Sequence, residues 1–301
     1  MNETVLGAIF LSIAASIWGG MYVVVKVVVD VVPPLELVWL RYVIAVAVLA
    51  VIGTYMRESW RISREHVLLL IAIGVIGNTI SIVTQEIGTM LSTAQMGAII
   101  TSTTPAFIVL FAYIVLREQI TLRKLMSVAL ATIGVIIIIW DTSLSQSTQL
   151  GGIWLVVAAL TWALMSVLLK KVPDQHSPLV VTTYSSLVAV VCLTPFVVPA
   201  LGDLPLEELL TPTITGGLLY LGVISTALGF LLWNKGLQLM QASSGGLFFF
   251  FQPIVGACLG WLLLGETLHA TFWLGTCCIF IAVFIVIRTE TSVKKARDEQ
   301  S

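Results

Sequence analysis

Charge is what this chain has least of. Only 10% of its 301 residues are Asp, Glu, Lys or Arg, whereas soluble domains carry about a quarter. With 58% apolar residues and a mean hydropathy of +1.04, water cannot be its solvent. Histidine and cysteine are also sparse. His66, His176 and His269 are scattered over separate connections and no Cys or His recurs at ligand spacing, so no metal site is expected. Cys192, Cys258, Cys277 and Cys278 all fall inside apolar stretches, where they pack as small apolar side chains and imply no disulfide framework. No G-x-x-x-x-G-K-S/T loop occurs, so ATP is not expected to drive the protein and no cofactor is implied. An intramembrane enzyme would need paired Asp or H-E-x-x-H, and neither is visible. No nucleic-acid partner is expected.

What is present is apolar length. A hydrocarbon layer about 30 Å thick takes roughly 20 residues of helix, and charge-free stretches of that length or more run almost end to end, as in 67–85, 87–116, 209–234 and 236–265. Polar joints such as 88–93 divide the longest into a helix, a turn and a helix. The reading predicts an all-α integral membrane protein with ten transmembrane helices, near 5–28, 35–56, 66–88, 93–116, 121–140, 151–171, 177–199, 213–236, 242–265 and 270–289. The first is not expected to be a cleaved signal, since its core is long and no Lys or Arg precedes it.

Lys and Arg are retained by cytoplasmic loops. Thirteen of the fifteen, from Arg57, Arg61 and Arg64 through Arg117, Lys170, Lys171 and Lys235 to Arg297, fall on one side of this arrangement. Both termini are therefore expected in the cytoplasm, with the protein in the plasma membrane. The run Lys294-Lys295-Ala296-Arg297 marks the inside, on anionic lipid or in solvent.

The chain repeats itself. At an offset of 144, Gly7, Ile9, Ala14, Ala15, Trp18, Met21, Val23 and Lys26 recur; at 148, Gly74-Val75-Ile76 matches Gly222-Val223-Ile224, and Pro105 and Glu118 match Pro253 and Glu266. This divides the chain into a five-helix repeat over 1–140, a polar extracytoplasmic linker over 141–150, a second five-helix repeat over 151–289 and a cytoplasmic tail over 290–301. Five is odd, so the second half enters the bilayer from the opposite face. Inverted repeats commonly enclose a substrate site near mid-bilayer.

The residues Ala-Ala-Ser-Ile-Trp-Gly-Gly at 14–20, Leu-Val-Trp-Leu-Arg-Tyr at 37–42, and Pro105 followed by Leu116-Arg117-Glu118, with counterparts at Trp162, Pro253 and 264–266, carry a likeness. The chain resembles the EamA family of the drug/metabolite transporter superfamily over 5–289. The resemblance implies a carrier of amino acids, related metabolites, nucleoside-like compounds or drugs, with export as its direction. It also implies that the first, third, fourth, sixth, eighth and ninth helices line a central cavity. Arg41 has Ser185 as its repeat partner, so any role of that arginine is not two-fold symmetric.

Candidate substrate-binding residues follow from position. Pro105 and Pro253 are expected to break their helices at mid-membrane and free the carbonyls of Thr101 and Phe249; these face a cavity, or the kinks are repaired by hydroxyls or water. Asn78, Ser81 and Gln85 recur at helical spacing, and on the next helix Gln95 and Ser102 are seven apart, with Thr101, Thr103 and Thr104 thickening the polar patch. Lining the cavity and joining helices are both open to them. Trp18, Tyr22, Trp162, Trp233, Asn234, Phe248 and Gln252 would supply an apolar wall with a few polar groups, suited to a small organic ligand, or pack between helices. Lys26, Glu36, Arg41 and Glu86 fall in the outer third of the membrane, where charge is costly. They act as pairs near the interface, Lys26 meeting Glu36 or Glu86, or as a gate or coupling site. Glu118 and Glu266 should tie turns to neighbouring backbone. The function expected is a secondary transporter of a small amphipathic metabolite; a lipid flippase or scramblase and an intramembrane enzyme are the alternatives, and the peripheral helices leave room for a homodimer.

Overall fold

A computed structural model describes residues 3–117, 122–139, 144–173, 175–239, 248–249, 251–266 and 270–298, with no strand among them. Helices α1 (Glu3–Val28) and α2 (Pro34–Tyr55) are joined by a tight connection. Pro34 opens α2 because its fixed φ suits a first turn and its missing amide would be unpaired there anyway. Next come α3 (Arg64–Leu91) and α4 (Ala94–Leu116), then α5 (Leu122–Ile139) and α6 (Gln146–Leu169). Helix α7 (Pro178–Val197) continues as a 3-10 segment, Val198–Asp203. A single turn at Leu206–Leu209 precedes α8 (212–239), α9 (Phe251–Leu264) and α10 (Ala270–Asp298).

Seven of these helices are long and apolar enough to cross a membrane, and three shorter apolar stretches, Val128–Ile137, Phe251–Leu264 and Ala270–Ala282, accompany them. The protein is a multi-pass, all-helical membrane protein. Two boundaries differ from those expected. Helix α6 starts at Gln146, inside the expected 141–150 linker, because the Ser145 hydroxyl accepts from the Thr148 amide at 3.2 Å and caps it. The backbone of α10 stays helical to Asp298, through most of the expected 290–301 tail. The cysteines also differ from expectation: Cys258 and Cys277 are exposed on the bundle surface, and only Cys192 and Cys278 are partly covered.

Helix α3 is wound as a π-helix over Gly74–Ser81, and α8 likewise over Tyr220–Leu228. These segments overlap at the 148-residue offset. An i→i+5 ladder takes up more residues per turn than an α-helix, so side chains before and after it leave the spacing that a regular helix would give.

Helix α1 packs on α8 and α9, α6 on α3 and α4, α2 on α7, and α5 on α10. Individual contacts recur with the halves exchanged. A Cβ on Gly74 would stand 2.5 Å from that of Val188, and one on Gly222 would stand 2.6 Å from that of Ile44; Ile44 and Val188 are 144 residues apart. Both glycines are there because the facing helix, α7 in one case and α2 in the other, comes too close for a side chain.

Candidate functional site

Between these helices lies a cavity of about 40 Å3, enough for a few waters. Its wall is divided chemically. Tyr22, Arg41, Gln85, Thr101 and Thr104, all from α1 to α4, form a polar side; Trp162, Phe230 and Phe249, from α6, α8 and the approach to α9, form an aromatic side. Trp18 and Gln252 bring one group of each kind across the division, and Met21, Ile82, Ala158 and Ala159 fill the remainder.

Tyr22, Gln85, Thr101 and Gln252 form a buried nest. The Thr101 hydroxyl lies 2.6 Å from the Gly97 carbonyl and 2.6 Å from Tyr22 Oη, and Gln252 Nε2 donates to Tyr22 Oη at 3.1 Å and to Thr101 Oγ1 at 2.9 Å. If Thr101 gives its proton to Gly97, the single Tyr22 proton is shared between Thr101 and Gln85 Oε1, the latter at 3.1 Å. Gln85 Nε2 meanwhile has no partner. Turning the Gln85 amide over lets it donate to Tyr22 and releases the Tyr22 proton to Thr101. In both orientations one polar atom of this 8% exposed amide is left without a protein partner, in the wall of the cavity.

The break in α4 lies beside this nest. The chain leaves the helix at Ser102 and Thr103 and resumes it at Thr104 with Pro105 in the first turn. The Thr101 carbonyl that Pro105 cannot serve accepts the Thr104 hydroxyl at 2.7 Å, while Ser102 and Thr103 hydroxyls bond the Ile99 and Ile100 carbonyls at 2.6 Å each. The kink is thus repaired by hydroxyls, as one of the two sequence readings required. Pro253 lies near the start of the described part of α9; residue 250, just before it, lies outside the described residues.

Trp18 is the hub of the aromatic side. Its ring centroid lies 6.2 Å from Trp162, 5.7 Å from Phe230, 5.2 Å from Trp233 and 6.0 Å from Phe249, within the range of favourable ring pairs. Its Nε1 donates to the Ser225 carbonyl at 3.0 Å, in the π segment of α8.

Arg41 links the cavity to a charge behind it. Its Nη1 pairs with Glu86 Oε1, both side chains almost fully buried. Nε donates to Thr226 Oγ1 at 3.1 Å, and Nη2 has the long contacts, 3.2 Å to Met21 Sδ and 3.3 Å to Ser225 Oγ. Glu86 is 0% exposed, its Oε2 has no partner, and it does not reach the cavity wall.

The expected pairing of Lys26 with Glu36 or Glu86 is not what the structure shows. Lys26 Nζ donates to the carbonyls of Thr89, Met90 and Ser92 at 3.2, 2.7 and 2.6 Å, closing the C-terminus of α3, where carbonyls lack helical partners. Glu86 is taken by Arg41, and Glu36 is buried in the first turn of α2. On the other side of the same turn, Glu266 accepts from the Ala94 and Gln95 amides at 2.7 and 3.1 Å. Burial raises the Glu266 carboxyl above the usual carboxylate range, and the two amides and Lys26 draw it back. Glu266 therefore ties a turn to neighbouring backbone; Glu118 lies outside the described residues. Nor are the histidines all apart: His66 Nδ1 and His176 Nε2 meet at 3.1 Å between two connections. His269 lies outside the described residues.

Of the candidate binding residues, Trp18, Tyr22, Gln85, Thr101, Trp162 and Gln252 line the cavity. Asn78 and Ser81 do not. Asn78 reaches Ser185 and Ser186 at 3.4 and 3.3 Å on α7, and Ser81 donates to the Ala158 carbonyl at 2.9 Å, because the π-helix rotates them off the face of Gln85. Ser102 is occupied with the helix break, Trp233 packs behind Trp18 and Phe249, and Phe248 stacks on Phe251 at 6.4 Å. The side chain of Asn234 lies outside the described residues. Sequence reasoning named Thr104 only as part of a polar patch and missed the rings of Phe230 and Phe249, yet a signal was available. Phe230 is the repeat partner of Ile82, Phe249 of Thr101 and Gln252 of Thr104, each 148 residues apart, and all six line the cavity.

A crystal structure superposes over 98% of this chain and 99% of that chain with a TM-score of 0.63 at 16% identity, a likeness of fold. A permease-like protein of Bacillus subtilis, YdzE, is 58% identical over 78 residues, 26% of this chain and all of that one. An uncharacterized transporter of Archaeoglobus fulgidus is 26% identical over 93% of this chain and 98% of its own length. A Salmonella typhimurium protein named "Probable amino-acid metabolite efflux pump" is 27% identical over 89% of this chain and 90% of its own. The EamA-like transporter family matches twice, over residues 5–140 and 149–288, and with both segments covering almost the whole sequence, the chain belongs to that family.

Proposed function

We propose that this transporter carries a small amphipathic metabolite, an amino acid or a related compound, out of the cell by alternating access. The observation that carries the reading is the divided wall of the cavity: hydrogen-bonding groups from the first half, aromatic rings from the second, and an unsatisfied Gln85 amide between them. A ligand with one polar end and one apolar body fits such a site. The architecture proposed is ten spanning helices in two inverted repeats, with both termini in the cytoplasm and the protein in the plasma membrane. The Gly74–Val188 and Gly222–Ile44 contacts, which recur with the halves exchanged, support a two-fold relation, and the one-sided Lys and Arg support the orientation. The efflux pump name of the Salmonella relative supports the direction.

The test is counterflow in proteoliposomes against a panel of amino acids, nucleosides and cationic drugs, with hits from a thermal-shift screen. Trp18→Ala and Gln252→Ala should lose most transport at normal expression, while Asn78→Ala, whose amide joins α3 to α7, should lose far less. Unchanged kinetics in the first two would refute the cavity as the substrate site. Vesicles that move lipid but no solute would turn the assignment to a flippase.

A further inference from the structure

Among the described residues Arg41 is the one charged side chain in the cavity wall, and it is already neutralised from behind by Glu86. Its Nη2, beside the wall residue Met21, holds only neutral acceptors, a thioether at 3.2 Å and a hydroxyl at 3.3 Å, so a charged acceptor entering the cavity has a donor to take. A carboxylate with no ammonium of its own that did so would leave one Arg between two carboxylates, an excess negative charge beside the 0% exposed Glu86 in a cavity with room for only a few waters. Such a charge is not tolerated without a partner.

Among the described residues, the groups around Glu86 offer no other cation to absorb it. Helix α2 brings Arg41 and Tyr42, and α1 brings Tyr22. Lys26, one turn further out on α1, is held by three carbonyls at the α3–α4 turn. The π segment Gly74–Ser81, the first part of α4 (Ala94–Thr101) and α6 carry no titratable side chain.

Resting on the reading of the cavity as the substrate site, we infer that the transported solute bears a carboxylate which takes Arg41 from Glu86, and that Glu86 takes up one proton as Arg41 leaves it. The Arg41–Glu86 hydrogen bond breaks, an Arg41–solute bond forms, and a proton from water neutralises the Glu86 carboxylate. For a solute whose only charge is that carboxylate, the buried set is neutral before and after. A solute that binds with a proton also crosses with it, so efflux of the carboxylate down its gradient exports protons.

The experiment uses the wild-type protein in nanodiscs, with emission of the wall tryptophans reporting binding and a pH dye in weak buffer counting protons. The probes are 3-phenylpropionate, L-phenylalanine, 2-phenylethylamine and 2-phenylethanol. The expected result is that 3-phenylpropionate binds with close to one proton taken up per ligand, and that its Kd weakens about tenfold per pH unit, the slope that one linked proton requires; L-phenylalanine, whose ammonium group already balances its carboxylate, should take up clearly less. Glu86→Gln should bind 3-phenylpropionate with no proton uptake and no pH slope; if that variant does not fold, the wild-type proton count decides. Binding of 3-phenylpropionate without proton uptake overturns the inference, as does a preference for the amine or the alcohol, and both leave the cavity reading standing. Silence from all four probes at millimolar concentration overturns the cavity reading itself.

Discussion

Removing one member of the Arg41–Glu86 pair should have consequences that depend on which member is removed. In Arg41→Met the Glu86 carboxylate is left in a site with 0% exposure and no other partner for Oε1 among the described residues. It escapes by taking a proton. An ordinary carboxyl titrates near 4.3, so holding it neutral at pH 7 costs about 3.7 kcal/mol, and at pH 5.5 about 1.6 kcal/mol. The sign follows from linkage: the folded variant binds one more proton than the unfolded chain above pH 4.3, so its stability falls as pH rises. In Glu86→Leu the stranded group is an arginine, which stays charged at every accessible pH. Its loss, about 3–5 kcal/mol for a broken buried pair, should be flat from pH 5.5 to 8. The double variant, Arg41→Met with Glu86→Leu, removes both charges and should recover most of the stability. The assay is unfolding in mixed micelles with increasing SDS, followed by tryptophan emission, at pH 5.5, 7 and 8. An Arg41→Met penalty equal at all three pH values, or a double variant as unstable as Glu86→Leu, would refute the assignment of Glu86 as an ionised partner held only by Arg41.

Three further outcomes are expected. Thr104→Val strands the Thr101 carbonyl and should cost about 1–3 kcal/mol in the same unfolding assay, while Thr104→Ser should cost little. Lys26→Met leaves the Thr89, Met90 and Ser92 carbonyls without their donor; hydrogen exchange of the Ser92 to Gly97 amides should quicken about tenfold or more, and unchanged protection would show that Glu266 alone holds the turn. Gly222→Ala puts a Cβ 2.6 Å from that of Ile44, an overpacking of about 1–3 kcal/mol, which Ile44→Ala should relieve only in part, since alanine keeps the Cβ, and Ile44→Gly in the same chain should relieve further.

Much of the fold could be read from the residues because a membrane makes composition decisive: few charges, apolar lengths near 20 and polar joints fix where helices can lie. Trp18, Trp162, Tyr22 and Gln252 could be read as site residues for a similar reason, since polar and aromatic groups at mid-helix have no business facing lipid. What could not be read was the winding of α3. Asn78, Ser81 and Gln85 share a face only at 3.6 residues per turn, and Gly74–Ser81 is a π-helix; nothing in the local residues distinguishes i→i+5 from i→i+4 bonding. Nor could partner choice among buried charges be read. Lys26 is long enough to reach Glu86, but the open carbonyls at the end of α3 offer three acceptors at once, and Arg41 reaches Glu86 from the facing helix. The contact of His66 with His176 escapes notice because the two are 110 residues apart.

The repeat says where the wall residues lie and leaves their chemistry free. Thr101 answers to Phe249, Thr104 to Gln252 and Ile82 to Phe230, so a nearly symmetric set of helix positions carries an asymmetric set of side chains. The same holds for Arg41, whose partner Ser185 bonds within its own helix and to Asn78. Under alternating access the two halves would exchange conformations, with most polar groups staying on the first half and, Trp18 and Tyr22 apart, the rings on the second. A ligand anchored by its polar end to α1–α4 would then keep one orientation while the second half moves its rings along the apolar body. Parting the halves at the cavity would break more than the Gln252 bonds to Tyr22 and Thr101, because Trp18 also holds the Ser225 carbonyl, Arg41 holds Thr226 and Ser81 holds the Ala158 carbonyl across the same divide.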